Sequence, residues 1–343
     1  MLSSKSGTLD SIANSDNESV VKRAMKIKNK RIFITGGAGF IGTHLVNRLI
    51  ENNEVIVYDT LERNALKNTG LLEHPNLKLV KGDVLDASKL SNAISGSNIV
   101  VHLAAVAGVD NVIRNPVKTM SVNLVGTYNV LQACADSNKL DRFVYASTSE
   151  VFGGRAYNVD ESHETSQGSV GEARWTYAVS KLAGEHLCHS YYKKFGMPGI
   201  IVRPFNVYGP GQVGTGAIHA FVIRAVKNQD LIIYGDGSQI RSWCYIDDLV
   251  DGLYLCLGNN GIFGHAFNIG DPRSTITVYD LAKRVLSLSG AASKIRFKKR
   301  TYVDIEIRVP NIDKARTMLG FQPRVDLDEG IRRTLDWYRE KIT

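Results

Sequence analysis

The chain is poor in cysteine, with four in 343 residues. Cys134, Cys188, Cys244 and Cys256 form no C-x-x-C pair and show no metal-like spacing. Nothing marks a thiol metal site, and a reducing compartment, the cytoplasm, is the economical inference. The chain also lacks any apolar run approaching the ~18 residues that a membrane-spanning helix requires. Its N-terminal stretch has no apolar segment of the signal-peptide kind. There is no internal repeat. Glu185, His186 and His189 fall within one helical turn, but no third ligand converges on them in the sequence. They read as a solvated or core-edge helix face, so no metal is expected.

What is present is ordinary for a large α/β protein: 43% hydrophobic residues and 22% charged, enough for one big domain or two lobes. Half of the net charge of +8 sits in residues 1–31, where Lys5, Lys22, Arg23, Lys26, Lys28, Lys30 and Arg31 face only Asp10, Asp16 and Glu18. Residues 1–29 read as a disordered basic leader. Without interleaved aromatics, this leader does not argue for a nucleic-acid partner.

From Lys30 to Asp59 the pattern is strand, glycine turn, helix, strand, one βαβ unit. Short Val/Ile/Leu runs at 77–80, 99–102, 143–146 and 199–202 predict further strands of a doubly wound parallel sheet covered on both faces. After about Pro204, Gly/Pro turns break the pattern. A smaller α/β lobe is expected over 204–343, with helices at 217–228, 279–288 and 329–341 and strands at 231–234 and 265–269. The expected domains are thus 1–29, 30–203 and 204–343.

Gly36-x-x-Gly39-x-x-Gly42 follows a strand and opens a helix, the context in which a glycine pattern indicates dinucleotide binding. The three glycines serve a tight turn, close approach of backbone to a pyrophosphate, and helix–strand packing. The helix N-terminus offers free N–H groups and a positive dipole end. Asp59, ending the second strand, is placed to accept ribose hydroxyls and would repel a 2′-phosphate. This favours NAD over NADP, although the nearby Arg63 would suit the latter. Asp83, followed by Val84, is placed for the adenine edge. Tyr177-x-x-x-Lys181 puts two side chains on one helical face, so that an ammonium favours ionisation of a phenol, a competent base for an alcohol losing hydride.

These segments together resemble the extended short-chain dehydrogenase/reductases, the NAD-dependent nucleotide-sugar epimerase/dehydratase group, from Lys30 to Ile342. The matching stretches are Thr35-Gly-Gly-Ala-Gly-Phe-Ile-Gly42, His102-Leu-Ala-Ala105, Asn123 with Gly126-Thr-Tyr-Asn-Val130, Tyr177 to Lys181, Arg203-Pro-Phe-Asn-Val-Tyr-Gly-Pro210 and Arg241-Ser-Trp-Cys-Tyr-Ile-Asp-Asp248. The resemblance implies that Phe40, Ile41, Ala104, Ala105, Asn123, Tyr177, Lys181 and Pro204 join the glycines, Asp59, Asp83 and Val84 around NAD. It implies that Thr148 assists Tyr177 in holding a sugar hydroxyl, and that Asn206 and Arg241 bind the nucleotide-sugar diphosphate and ribose. A homodimer through the helices near 126–135 and 177–191 is implied as well.

Family members oxidise sugar carbon 4 and differ in the fate of the 4-keto sugar. Thr148-Ser149-Glu150 resembles the triplet of UDP-glucuronate decarboxylases and GDP-mannose dehydratases. Dehydratases of the dTDP-glucose type usually place an Asp where Ser149 stands. Arg308 lies where the decarboxylases carry an arginine that meets the substrate carboxylate, and an ordinary ion pair is the alternative. The reading is a UDP-glucuronate decarboxylase with Ser149 and Glu150 among its catalytic residues. A 4,6-dehydratase or 4-epimerase is the alternative, and a non-catalytic NAD-sensing module a remote one.

Overall fold

The computed structural model describes residues 26–137 and 140–342. Most of the expected leader lies outside the described residues. Its last residues belong to the fold: Ile27 is buried, its N–H 3.3 Å from the Tyr254 hydroxyl, and the Asn29 N–H donates to the Asn52 carbonyl at 2.8 Å.

Strands β1 (Arg31–Thr35), β2 (Glu54–Asp59), β3 (Leu77–Lys81), β4 (Ile99–His102) and β5 (Arg142–Ala146) form in chain order with helices between them. The next strand, β6 (Arg155–Val159), leaves this sheet, and β7 (Gly199–Pro204) returns to it. Five short strands come next: β8 (Val207–Tyr208), β9 (Leu231–Tyr234), β10 (Ile240–Ser242), β11 (Cys244–Tyr245) and β12 (Ala266–Ile269). The last are β13 (Thr275–Thr277), β14 (Ile295–Lys298) and β15 (Ile307–Pro310). The main sheet has seven strands in the order β12-β7-β5-β4-β1-β2-β3, and every neighbouring pair is parallel. All strands run the same way, but the order in which they are added reverses between β1 and β4, which opens a crevice at their C-terminal ends, the ligand position of such sheets.

β1, β4 and β5 are buried nearly throughout, as a sheet covered on both faces requires. β3, at the sheet edge, is half-exposed along its length, and Leu79 faces solvent.

The predicted division at 203/204 is not where the sheets divide. β12 crosses back to pair with β7, while β6 joins a separate four-stranded sheet, β13-β10-β15-β6. The helix Ile246–Gly258 packs on the helix Phe40–Leu49 of the main domain. One hydrophobic core runs through both lobes, joining Ile34 and Val57 to Phe221, Leu249 and Leu281. The lobes are therefore held by buried apolar area, at about 25 cal/mol per Å², and not by a flexible linker.

Candidate active site

The loop after β1 is fixed by sterics. Gly36 has φ +68°, and a Cβ there would lie 2.6 Å from the Ala104 amide nitrogen; a Cβ on Gly42 would lie 2.5 Å from the Gly36 carbonyl oxygen. Only glycine fits either place. Gly39 precedes the helix Phe40–Leu49, and no side chain caps that helix, so its first N–H groups remain available to a ligand. Phe40 and Ile41, partly buried, begin the helix and pack against the core.

Asp59 points back into this loop, accepting the Ala38 N–H at 3.1 Å and the Leu61 N–H at 2.7 Å. Burial raises its carboxyl pKa, and the two N–H donors oppose that shift. Arg63 donates to the Ala107 carbonyl at 3.0 Å. Asp83 closes a turn by accepting the Leu85 N–H, and the Asp83 carbonyl accepts the Tyr58 hydroxyl. Val84 is buried against Gly126.

Ala104 and Ala105 follow β4, and Ala104 lies against the Gly36 turn, its N–H donating to the Thr35 hydroxyl at 3.2 Å. Asn123, fully buried in the π-helical turn Ser121–Val125, accepts the Val106 N–H and donates to the Val106 carbonyl and the Ser180 hydroxyl. It thereby ties the post-β4 loop to the helix Thr176–Phe195. The residues fit a dinucleotide: the glycine cradle excludes any Cβ, the helix N-terminus is uncapped, and a carboxylate stands at the end of β2.

The second half of the site lies beyond β5. Thr148 accepts the Glu150 N–H at 3.2 Å and starts the turn Ser149–Phe152. Tyr177, partly buried, opens the helix Thr176–Phe195. Burial pushes its phenol well above the usual range, the Glu150 carboxylate pushes it further, and the Thr148 hydroxyl and Arg174 pull it down.

The ammonium of Lys181 is not on the phenol, although helical spacing aligns the two residues. It donates to the Ala146 carbonyl at 2.7 Å and lies 4.8 Å from the centre of the Tyr145 ring. Burial pulls its pKa down to about 8. Behind it Glu185, buried, holds Arg203 through two hydrogen bonds of 2.9 and 2.7 Å and accepts the Ser147 hydroxyl at 2.5 Å. Glu185 points inward, whereas His186 and His189 are exposed, so the three do not converge.

Glu150 is held by a partner that sequence patterning leaves unassigned. Arg174 grips both its carboxylate oxygens, Nη1 to Oε2 at 2.6 Å and Nη2 to Oε1 at 3.2 Å. The sequence signal is the stretch Gly171-Glu-Ala-Arg-Trp-Thr-Tyr177, which resembles the approach to the catalytic tyrosine in UDP-glucuronate decarboxylases, but the partner of its arginine lies on another element. Arg308 also differs from expectation. It is among the largest fully buried side chains, and its two Nη atoms donate to the Ser149 and Gly153 carbonyls, not outward to a ligand. Burial brings its pKa down to about 9. Arg241, on β10, donates to the Ile305 carbonyl at 2.6 Å and pairs with Asp304 at 3.4 Å. Asn206, held at φ +35°, donates to the Ser242 carbonyl at 2.8 Å, and Pro204 ends β7 beside it. Arg174, Arg241 and Arg308 all feel one another's charge, with Glu150 and Asp304 as counter-charges.

A glycine cradle at a sheet switch point, joined to a Thr/Tyr/Lys group beyond β5, defines a dinucleotide-dependent enzyme. Residues 32–270 match the model of the NAD dependent epimerase/dehydratase family, and the chain belongs to that family. NAD is its cofactor. The chain is 32% identical over 321 residues to a UDP-N-acetyl-alpha-D-glucosaminuronate decarboxylase of Bacillus cytotoxicus, covering 91% of this chain and 98% of the relative. It is 34% identical over 328 residues to a trifunctional UDP-glucose 4,6-dehydratase, 3,5-epimerase and reductase of Arabidopsis thaliana, with 91% of this chain matched. It spans about half (48%) of that longer protein. Among solved structures it resembles the UDP-glucuronic acid 4-epimerase of Bacillus cereus in complex with UDP-glucuronic acid and NAD. That match has a TM-score of 0.84 and 32% identity, over 91% of this chain and all of the other.

Proposed function

We propose that the chain acts on a nucleotide sugar through a 4-keto intermediate, and that the sugar is a UDP-hexuronate which it decarboxylates. The observation that carries this reading is the charge around Glu150. Arg174, Arg241 and Arg308 outnumber Glu150 and Asp304, which suits a substrate bearing both a diphosphate and a sugar carboxylate. Relatives named for uronate chemistry support it.

NAD, when bound in the cradle of Gly36, Gly39 and Gly42, supplies the hydride acceptor and later the donor. Asp59, Asp83, Val84, Ala104, Ala105, Asn123 and Lys181 would hold it. Tyr177 takes the proton of the carbon 4 hydroxyl, and Thr148 positions that hydroxyl. The Thr148 hydroxyl and Arg174 offset part of the Glu150 charge that opposes the phenolate. Asn206 and Arg241 hold the diphosphate. The 4-keto uronate is a β-keto acid: its carboxylate carbon–carbon bond breaks, carbon dioxide leaves, and the enolate takes a proton under the control of Glu150. Arg308 contributes by fixing the carbonyls on either side of Glu150.

Incubation of the enzyme and NAD with a panel of nucleotide sugars, read by mass spectrometry, tests this. Loss of carbon dioxide from UDP-glucuronate is expected. Loss of water from a hexose would favour the 4,6-dehydratase, with Glu150 as the base at carbon 5, and an isomer of unchanged mass the epimerase. Exposed apolar side chains on the paired helices Gly126–Ala135 and Thr176–Phe195 support a homodimer. Among the described residues no helix is long and apolar enough to cross a membrane, and the four cysteines are free thiols. Both features support a cytoplasmic location.

A further inference from the structure

Glu150 presents a problem for any anionic sugar. It stands beside Tyr177, where the reacting part of the substrate must lie, and a bare carboxylate there would repel a second one. The structure balances it locally. Arg174 lies in the turn Ala173–Trp175, directly ahead of the helix that carries Tyr177, and is buried to 4% exposure. Its guanidinium meets Glu150 fork to fork, at 2.6 and 3.2 Å. It also lies against the Trp175 ring, 5.7 Å from the ring centre, and its Nε atom is buried with no hydrogen-bond partner. The side chain is therefore wedged in place. Glu150 keeps some contact with solvent, at 21% side-chain exposure, whereas Arg174 keeps almost none.

We propose that Arg174 is a positioning and specificity-determining residue, which holds Glu150 in a neutral bidentate pair so that a sugar carboxylate can enter beside Tyr177. Rigid bidentate geometry distinguishes this role from that of a nearby positive charge, because lysine cannot bond both oxygens in a plane. The other cations in the neighbourhood bond to groups other than Glu150: Arg241 to Asp304 and the Ile305 carbonyl, Arg308 to the Ser149 and Gly153 carbonyls, and Arg300 to Asp304. Loss of Arg174 therefore leaves no second cation bonded to Glu150. The inference rests on the reading that the sugar is oxidised beside Tyr177, and it deepens that reading by assigning the basis of selection between uronates and neutral hexoses.

The test is calorimetric binding of UDP-glucuronate and UDP-glucose to the enzyme loaded with NADH, which cannot accept a hydride and so leaves both ligands intact, for wild type, R174M, R174K, E150Q and R174M/E150Q. The ratio of the two dissociation constants is the readout, because a general disturbance of the pocket weakens both ligands alike. R174M is expected to weaken UDP-glucuronate about tenfold more than UDP-glucose, and R174K to fall between it and wild type. E150Q, which frees Arg174, is expected to shift the ratio the other way, and R174M/E150Q to return toward wild type. Equal weakening of both ligands by R174M overturns the inference. So does an unchanged ratio in E150Q, a measurement that remains open if R174M does not fold, and so does a wild type that binds UDP-glucose but not UDP-glucuronate. Wild type that binds UDP-glucuronate with these ratios yet releases no carbon dioxide when loaded with NAD overturns the decarboxylase reading and upholds the role of Arg174.

Discussion

Two single residues carry tests that need no substrate. Gly36 sits in left-handed backbone with its α-carbon against the Ala104 amide. An added methyl meets both the conformational cost, about 1–2 kcal/mol, and a clash with backbone that cannot rotate away. Gly36→Ala should lower the melting temperature and abolish measurable NAD binding, whereas Gly70→Ala, with open space around it, should leave NAD affinity unchanged. His102 is a sharper probe. It is fully buried between the Thr35 and Thr127 hydroxyls, at 2.6 and 3.0 Å, and burial together with the Lys181 charge pulls its pKa down to about 3. The fold therefore favours neutral imidazole, while the unfolded chain takes up a proton near the ordinary value of 6.5. Between these values the unfolded state binds more protons. The stability this group contributes is complete above pH 6.5 and is lost as pH falls toward 3, on the order of 5 kcal/mol in all. Melting temperatures of wild type and His102→Gln at pH 7 and pH 4 should show the steeper acid loss in wild type. Equal losses would remove His102 as the cause.

At the scale of elements, the loop that carries Thr148 and Glu150 is held from the far lobe. β15 pairs with β6 and β10, and this delivers the Arg308 guanidinium to the carbonyls at both ends of the turn Ser149–Phe152. Arg308→Met keeps volume but leaves two buried carbonyls without these charged donors, at a cost of about 3 kcal/mol. Faster amide hydrogen exchange over 147–154, with exchange on β1 unchanged, is the expected signature. None of this could be read from the chain alone. The βαβ unit and β2, β4 and β9 were legible because their signals are local: a glycine spacing, a Val/Ile run, a bounding turn. The sheet β13-β10-β15-β6 consists of three to five residues per strand, and β6 pairs with a strand some 150 positions later. No local period encodes such a register. For the same reason, Tyr177 and Lys181 were visible as a pair, but the destination of the ammonium, the Ala146 carbonyl, was not. Arg174 and Arg308 acquire their meaning only from partners that tertiary packing brings to them.

Among the described residues, one pair of packed helices leaves apolar side chains uncovered. The helices Gly126–Ala135 and Thr176–Phe195 pack against each other, and Val125, just before the first, Tyr128 on it and Val179 on the second are between 39% and 49% exposed. Two copies related by a twofold axis would meet the same patch with itself, giving a bundle of four helices. In such an interface every substitution occurs twice, so Tyr128→Glu sets two carboxylates into one apolar contact. A penalty of about 3 kcal/mol would raise the dimer dissociation constant by roughly two orders of magnitude. Light scattering at micromolar concentration should give twice the chain mass for wild type and the chain mass for the variant. A wild type of single-chain mass would remove the dimer. The helix Thr176–Phe195 bears Tyr177 and Lys181 on its inner side, so dissociation should also reach the site. The variant is expected to bind NAD more weakly at low protein concentration and to recover as concentration rises. Tyr128→Phe, which keeps the apolar contact, should do neither.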